Sequence, residues 1–194
     1  SNWKARMGAL NQLTAHYAAA DQAGVLFHSI PSLFVFVKDC SKTFNESNFN
    51  VAKALLELFI AIFGIHKQVL KAPESYLYFP ATKLAVEKVG DKKLTEASSS
   101  CLHSICIVKD PQKVVGVAVK ALSHVKSPLA HEALLCWFKK FCLDFGSASL
   151  SKGIQDSLVC VLQVSLLRFL SFVVDRLDVN SRLSTYLRNA IAIT

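Results

Sequence analysis

Apolar residues return every three or four positions along almost the whole chain, and that period is the strongest constraint on its fold. Val25, Leu26, Ile30, Leu33, Phe34 and Val37 form one such stripe, with Pro31 suited to a first helical turn. Ala54, Leu55, Leu58, Phe59 and Ile62 form a second, ended by Gly64. Val114, Val117, Ala118, Ala121, Leu122 and Val125 form a third. Leu134, Phe138, Phe141, Cys142 and Phe145 form a fourth, followed by Gly146 at a position suited to a helix C-cap. No segment alternates strictly between apolar and polar residues, as a half-buried strand would. With only 7 glycines and 5 prolines in 194 residues, a turn-rich β-sandwich is disfavoured. The expected fold is all-α.

The stripes are separated at a regular spacing. Polar breaks fall at Asn45 to Asn50, at Gly90-Asp91-Lys92-Lys93 and at Lys126-Ser127-Pro128, each followed by another amphipathic segment. Asn48 and Asp91 are 43 positions apart, and Asp91 and Lys126 are 35 apart. These intervals bracket the roughly 40–47-residue period of HEAT repeats, in which helical hairpins stack into a solenoid. The expected architecture is a HEAT-repeat α-solenoid forming a single domain over residues 1–194. A helix from about Trp3 to Tyr17 supplies half of a first repeat. Hairpins then span 25–65, 75–107, 111–145 and 154–175, with a final helix near Ser181 to Ile191. In such a stack the short breaks within hairpins line up on one edge, which collects Asn48, Phe49, Asp91, Lys92, Lys93 and Lys126.

Charge points to the kind of partner. The chain carries 22 Lys and Arg against 14 Asp and Glu, a formal +8. An acidic partner follows, whether a protein surface, nucleic acid or an anionic membrane. The basic residues occur in ones and twos, as in Lys92-Lys93 and Lys139-Lys140, which argues against a nucleic-acid tail. Leu158 to Val174 is apolar, yet it is marginal in length for a membrane span and contains Arg168 at its middle. It reads as a buried helix.

Six cysteines, at 40, 101, 106, 136, 142 and 160, form no CxxC pair and stand in apolar surroundings such as Leu134-Leu135-Cys136-Trp137-Phe138. Cys101, Cys136, Cys142 and Cys160 are expected as buried free thiols in a reducing, cytoplasmic protein. Asn45-Glu46-Ser47 is then a chance glycosylation sequon. Neither Cys101, His103 and Cys106 nor His124 and His131 have the spacing of a zinc site. There is no GxSxG, glycine-rich phosphate loop or HExxH. The expectation is a binding module without catalytic residues, cofactor or metal.

Four segments, in order, resemble the TOG domains of microtubule polymerases. Trp3-Lys4-Ala5-Arg6-Met7-Gly8-Ala9-Leu10 is similar to the family's W-K-x-R-x-x-A-L start. Phe44-Asn45-Glu46-Ser47-Asn48-Phe49-Asn50-Val51 resembles the second intra-repeat loop of the central TOG domains, and Val86-Glu87-Lys88-Val89-Gly90-Asp91-Lys92-Lys93 the third. Lys126-Ser127-Pro128, Glu132-Ala133-Leu134-Leu135-Cys136-Trp137-Phe138 and Phe145-Gly146 resemble the fourth repeat. Together they cover roughly residues 3 to 175. The family's fifth loop supplies an arginine; here Leu158 to Gln163 runs into Val164-Ser165-Leu166-Leu167 without a polar break.

The resemblance implies a paddle whose loop edge grips the αβ-tubulin dimer or the microtubule lattice. It implies a monomeric module of a larger regulator of microtubule dynamics and spindle assembly, placed on cytoplasmic microtubules, spindle and centrosome. Carried over by position, Trp3 and Arg6 belong to the first contact, with Trp3 packing on β-tubulin. Asn48 and Phe49 form the second contact, with Phe49 as an apolar tip. Asp91, Lys92 and Lys93 form the third, and Lys126 with Ser127 reaches towards α-tubulin. Trp137, inside an apolar run, is expected in the core. The alternative is a HEAT scaffold for a non-tubulin protein.

Overall fold

In a computed structural model, which describes residues 2–22, 46–64, 74–108, 110–125, 127–146, 150–160 and 162–163, all regular structure among those residues is helical. The chain divides into two compact units, residues 1–150 and 151–194. The first contains α1 (Trp3–Gln22), α2 (Phe49–Gly64), α3 (Glu74–Lys88), α4 (Thr95–Val108), α5 (Pro111–His124) and α6 (Pro128–Phe145). The second has a helical stretch at 152–160, whose first turn closes when Ile154 and Gln155 N–H both donate to Ser151 O at 3.0 Å. Expectations for 25–37, Cys40, Asn45, Lys126, most of 158–174 and the helix near 181–191 lie outside the described residues.

The widest apolar arc belongs to α2. Val51, Ala52, Ala54, Leu55, Leu56, Leu58, Phe59, Ile62 and Phe63 are all buried, leaving a narrow solvent face where Lys53 pairs with Glu57 at 3.7 Å. A helix buried over most of its circumference must be covered from several sides. α1, α3 and α4 all pack on α2. α1 offers one stripe, with Leu10 buried and Met7, Thr14 and Tyr17 half-buried on the same face. The helix runs on to Gln22, one turn beyond the expected end near Tyr17.

Beyond α2, each helix packs against its neighbour in sequence and against the one two places on: α3 with α4, α4 with α5, α5 with α6, α2 with α4, α3 with α5, and α4 with α6. Phe63 at the end of α2 stacks on Tyr78 in α3, ring centroids 5.4 Å apart. α6 inserts Leu134, Trp137, Phe138 and Phe141, spaced as one helical stripe, and Trp137 is 2% exposed, in the core as expected. Gly146 ends α6 at φ +77°, the left-handed region in which a glycine C-cap is favoured, and its N–H donates to Cys142 O at 3.1 Å. Pro80 sits inside α3 and is itself buried. No helix among the described residues is long and apolar enough to cross a membrane.

The cysteine expectation needs correction. Cys101 and Cys106 are buried, but Cys142 is half-buried and Cys136 and Cys160 are exposed. Successive helix residues are turned by about 100°, so Cys136 points away from the face shared by Leu134, Trp137 and Phe138. Membership of an apolar run does not place a residue on the apolar face. Burial raises both inner thiols, that of Cys106 to about 12, which keeps them protonated and unreactive.

Candidate functional site

The candidate edge is made of helix beginnings. Asn2 precedes α1, and its Oδ1 accepts from Ala5 N–H at 3.4 Å. Asn48 caps α2: its Oδ1 accepts from Asn50 N–H at 3.0 Å and Val51 N–H at 3.3 Å. Before α4, Asp91 Oδ1 accepts from Lys93 N–H at 3.0 Å, while Asp91 O accepts from Leu94 and Thr95 N–H at 2.8 and 2.9 Å. Ser127 caps α6, with Pro128 in the first turn. Asp110 caps α5 in the same manner, its Oδ1 accepting from Gln112 N–H at 3.0 Å. Three of the residues singled out as contacts, Asn48, Asp91 and Ser127, therefore perform local structural work through side-chain oxygens that satisfy backbone donors.

Three contacts place these beginnings side by side. Arg6, in the first turns of α1, forms an ion pair with Glu46. Glu46 is nearly buried, and its other carboxylate oxygen accepts from Asn48 N–H at 2.9 Å. One carboxylate thus ties α1 to the cap of α2. Next, the Lys93 ammonium lies over the Phe49 ring, 5.4 Å from its centroid, which ties the start of α2 to the turn before α4. Finally, Gly90 packs against the first turn of α6. A Cβ built on Gly90 would stand 2.5 Å from Ala130 Cβ and 3.0 Å from Ala130 Cα, so only glycine allows this approach. The starts of α1, α2, α4 and α6 form a continuous row.

The aromatic residues differ from simple exposed tips. Phe49 is the first residue of α2 rather than a loop residue, and it is half-buried. Trp3 is the first residue of α1, half-buried, and in helical register with Met7, Leu10, Thr14 and Tyr17. Lys4 Nζ lies 5.8 Å from the Trp3 ring centroid. Each aromatic opens a helix and lies under a lysine. Lys92, Lys93, Asp91 and Ser127 are exposed. Lys126 falls outside the described residues, so its place in the row is not assigned.

Sequence reasoning passed over Glu46, Lys4 and the close approach of Gly90. A carboxylate two residues before a capping asparagine is a weak signal, because its partner is 40 positions away. Among the described residues no group of three or more His, Cys, Asp and Glu could hold a metal ion. His103 stands apart from the edge, in the α4–α6 interface. Its Nε2 is 3.7 Å from Asp144 Oδ2 and its ring lies 5.2 Å from Phe145. Burial lowers its pKa, Lys140 lowers it further, and Asp144 opposes both.

No known family model matches this chain, and no curated protein or solved structure matches it either.

Proposed function

We propose that the chain is a TOG-like module: a HEAT-type stack that binds αβ-tubulin through its row of helix beginnings, as one part of a larger regulator of microtubule dynamics. The observation that carries this reading is the row itself. Three contacts from different parts of the chain, Arg6–Glu46, Lys93–Phe49 and Gly90–Ala130, join the four motif-bearing segments along one edge. That alignment is what an edge-gripping paddle needs. The two-places-on packing of α2 to α6 supports stacked hairpins.

Electrostatics supports an acidic partner at this edge. Lys92 and Lys93 are exposed, and among the described residues neither has a carboxylate within 4.0 Å. Lysines of this kind speed association with an acidic surface and set its salt dependence. The module works by binding and not by catalysis, in the cytoplasm, on tubulin or the lattice.

Gel filtration with purified αβ-tubulin tests this directly. The expected result is a complex of one chain with one dimer, weakened by salt and by Lys92→Ala with Lys93→Ala. Parallel runs with RNA and duplex DNA should show no shift. A chain that elutes apart from tubulin, or that shifts with nucleic acid instead, overturns the proposal.

A further inference from the structure

The edge repeats one arrangement. An aromatic residue opens a helix, and a lysine ammonium stands over its ring: Lys4 over Trp3 at 5.8 Å and Lys93 over Phe49 at 5.4 Å. Both distances are within the roughly 6 Å at which the ring quadrupole attracts a cation. Elsewhere in the same unit three cations pair with carboxylates instead: Lys53 with Glu57, Lys83 with Glu87 and Arg6 with Glu46. Among the described residues Lys93 has a ring in place of a counter-ion, so its charge is oriented but not neutralised there.

From this we infer that Trp3 and Phe49 serve as platforms that hold Lys4 and Lys93, and that the partner meets the edge with carboxylates set against those two ammonium groups. The partner feature is an acidic segment, not an apolar side chain seated between loops. This inference deepens the tubulin reading and rests on the same edge. Its physical basis is preorganisation. A free lysine loses rotamer freedom when it binds a carboxylate, whereas one already held over a ring loses less. Phe49 is itself kept in place by its position at the first turn of α2, behind the Asn48 cap. Lys93 is aimed by the turn in which its N–H donates to Asp91 Oδ1.

A short poly-glutamate peptide and purified αβ-tubulin are two probes that separate this inference from the tubulin reading. Binding of each is measured for the wild type, Phe49→Leu, Phe49→Trp, Lys93→Gln and the double variant Phe49→Leu/Lys93→Gln. Lys120→Gln, an exposed lysine on α5, is the control for general charge. Phe49→Leu keeps apolar bulk but removes the ring, and it should weaken peptide binding by about two- to fivefold. Phe49→Trp should restore or exceed wild-type binding. In the Lys93→Gln background, Phe49→Leu should have no further effect, the signature of a coupled pair. In the free protein, NMR should show the Lys93 ε-methylene protons moved upfield by the ring, and Phe49→Leu should abolish that shift.

Wild-type binding by Phe49→Leu, an undiminished Phe49→Leu effect without Lys93, or an equal loss from Lys120→Gln each overturns the inference. Should tubulin bind no variant while the peptide ranking holds, the tubulin reading fails and the carboxylate platform stands. Should tubulin bind while Phe49→Leu is silent, the reverse is true.

Discussion

The row of helix beginnings is held at its two ends by opposite kinds of chemistry. At the α1–α2 joint, a nearly buried carboxylate accepts from both a guanidinium and a backbone N–H. At the joint between the α3–α4 turn and α6, the contact is the absence of a side chain, Gly90 against Ala130. The first joint is electrostatic and directional, so losing one partner strands the other. The second is steric, so adding a single methyl is enough to part it. One edge can therefore fail through a group removed at one end and through a group added at the other.

The largest expected effect breaks the electrostatic joint. Arg6→Met leaves Glu46, whose side chain is 8% exposed, with the Asn48 N–H as its remaining partner among the described residues. Removing one member of a buried pair typically costs about 3–5 kcal/mol. The Arg6 side chain is 42% exposed, so the lower end, about 3 kcal/mol, is expected. The double variant Arg6→Met/Glu46→Leu should recover most of it, read from urea midpoints. A single variant as stable as wild type would remove charge from the account of this joint.

Next comes the steric joint. Gly90→Ala should destabilise by about 1–3 kcal/mol through overpacking, and Ala130→Gly in the same chain should relieve part of that loss. Equal stability of Gly90→Ala and wild type would mean that the turn moves aside freely, and the row would then have no fixed end at α6. The caps rank third. Asn48→Ala should cost about 1 kcal/mol. Ser127→Ala should cost less, because its bond to Ala130 N–H is 3.5 Å long. The reverse order would show that the α6 end, not the α2 end, depends on its cap.

The smallest effect concerns acid. His103 has its pKa lowered in the folded chain, first by burial and then by Lys140, against Asp144. The unfolded chain therefore binds the proton more readily. Stability is unpenalised above the ordinary histidine value of about 6.5 and falls as pH drops through it. Melting temperatures between about pH 7 and pH 5 should decline more for wild type than for His103→Gln. Parallel declines would show that this imidazole plays no part in acid sensitivity of the α4–α6 interface.

Much of the helical arrangement could be read directly from the period of apolar residues. α2, α5 and α6 end close to where their stripes do, and Gly146 closes α6, whereas α2 and α6 start well ahead of theirs. The failures have a common cause: a linear pattern states which residues are neighbours along the chain, not which way they face. Cys136 sits in an apolar run yet faces outward beside Lys139 and Lys140, and Leu143, two turns on, is 76% exposed. Within the edge, the polar breaks that carry Asn48, Asp91 and Ser127 were visible. Their local duties were hidden, because capping and binding favour the same short polar residues. Glu46 was hidden for another reason, since its meaning depends on Arg6 across 40 positions.

The alignment of helix beginnings has an electrostatic effect that no side chain supplies. Peptide dipoles add along each helix to give about half a positive charge at its first turn. The starts of α1, α2, α4 and α6 stand in one row, so four such partial charges share an edge that also carries Lys4, Lys92 and Lys93. The neutral caps Asn48 and Ser127 satisfy donors without cancelling the field of α2 and α6, whereas the carboxylates of Asp91 and Glu96 offset part of it at α4. Lysine substitutions therefore remove only part of the edge's positive potential, and the backbone retains the remainder for as long as these helix beginnings stay in one row.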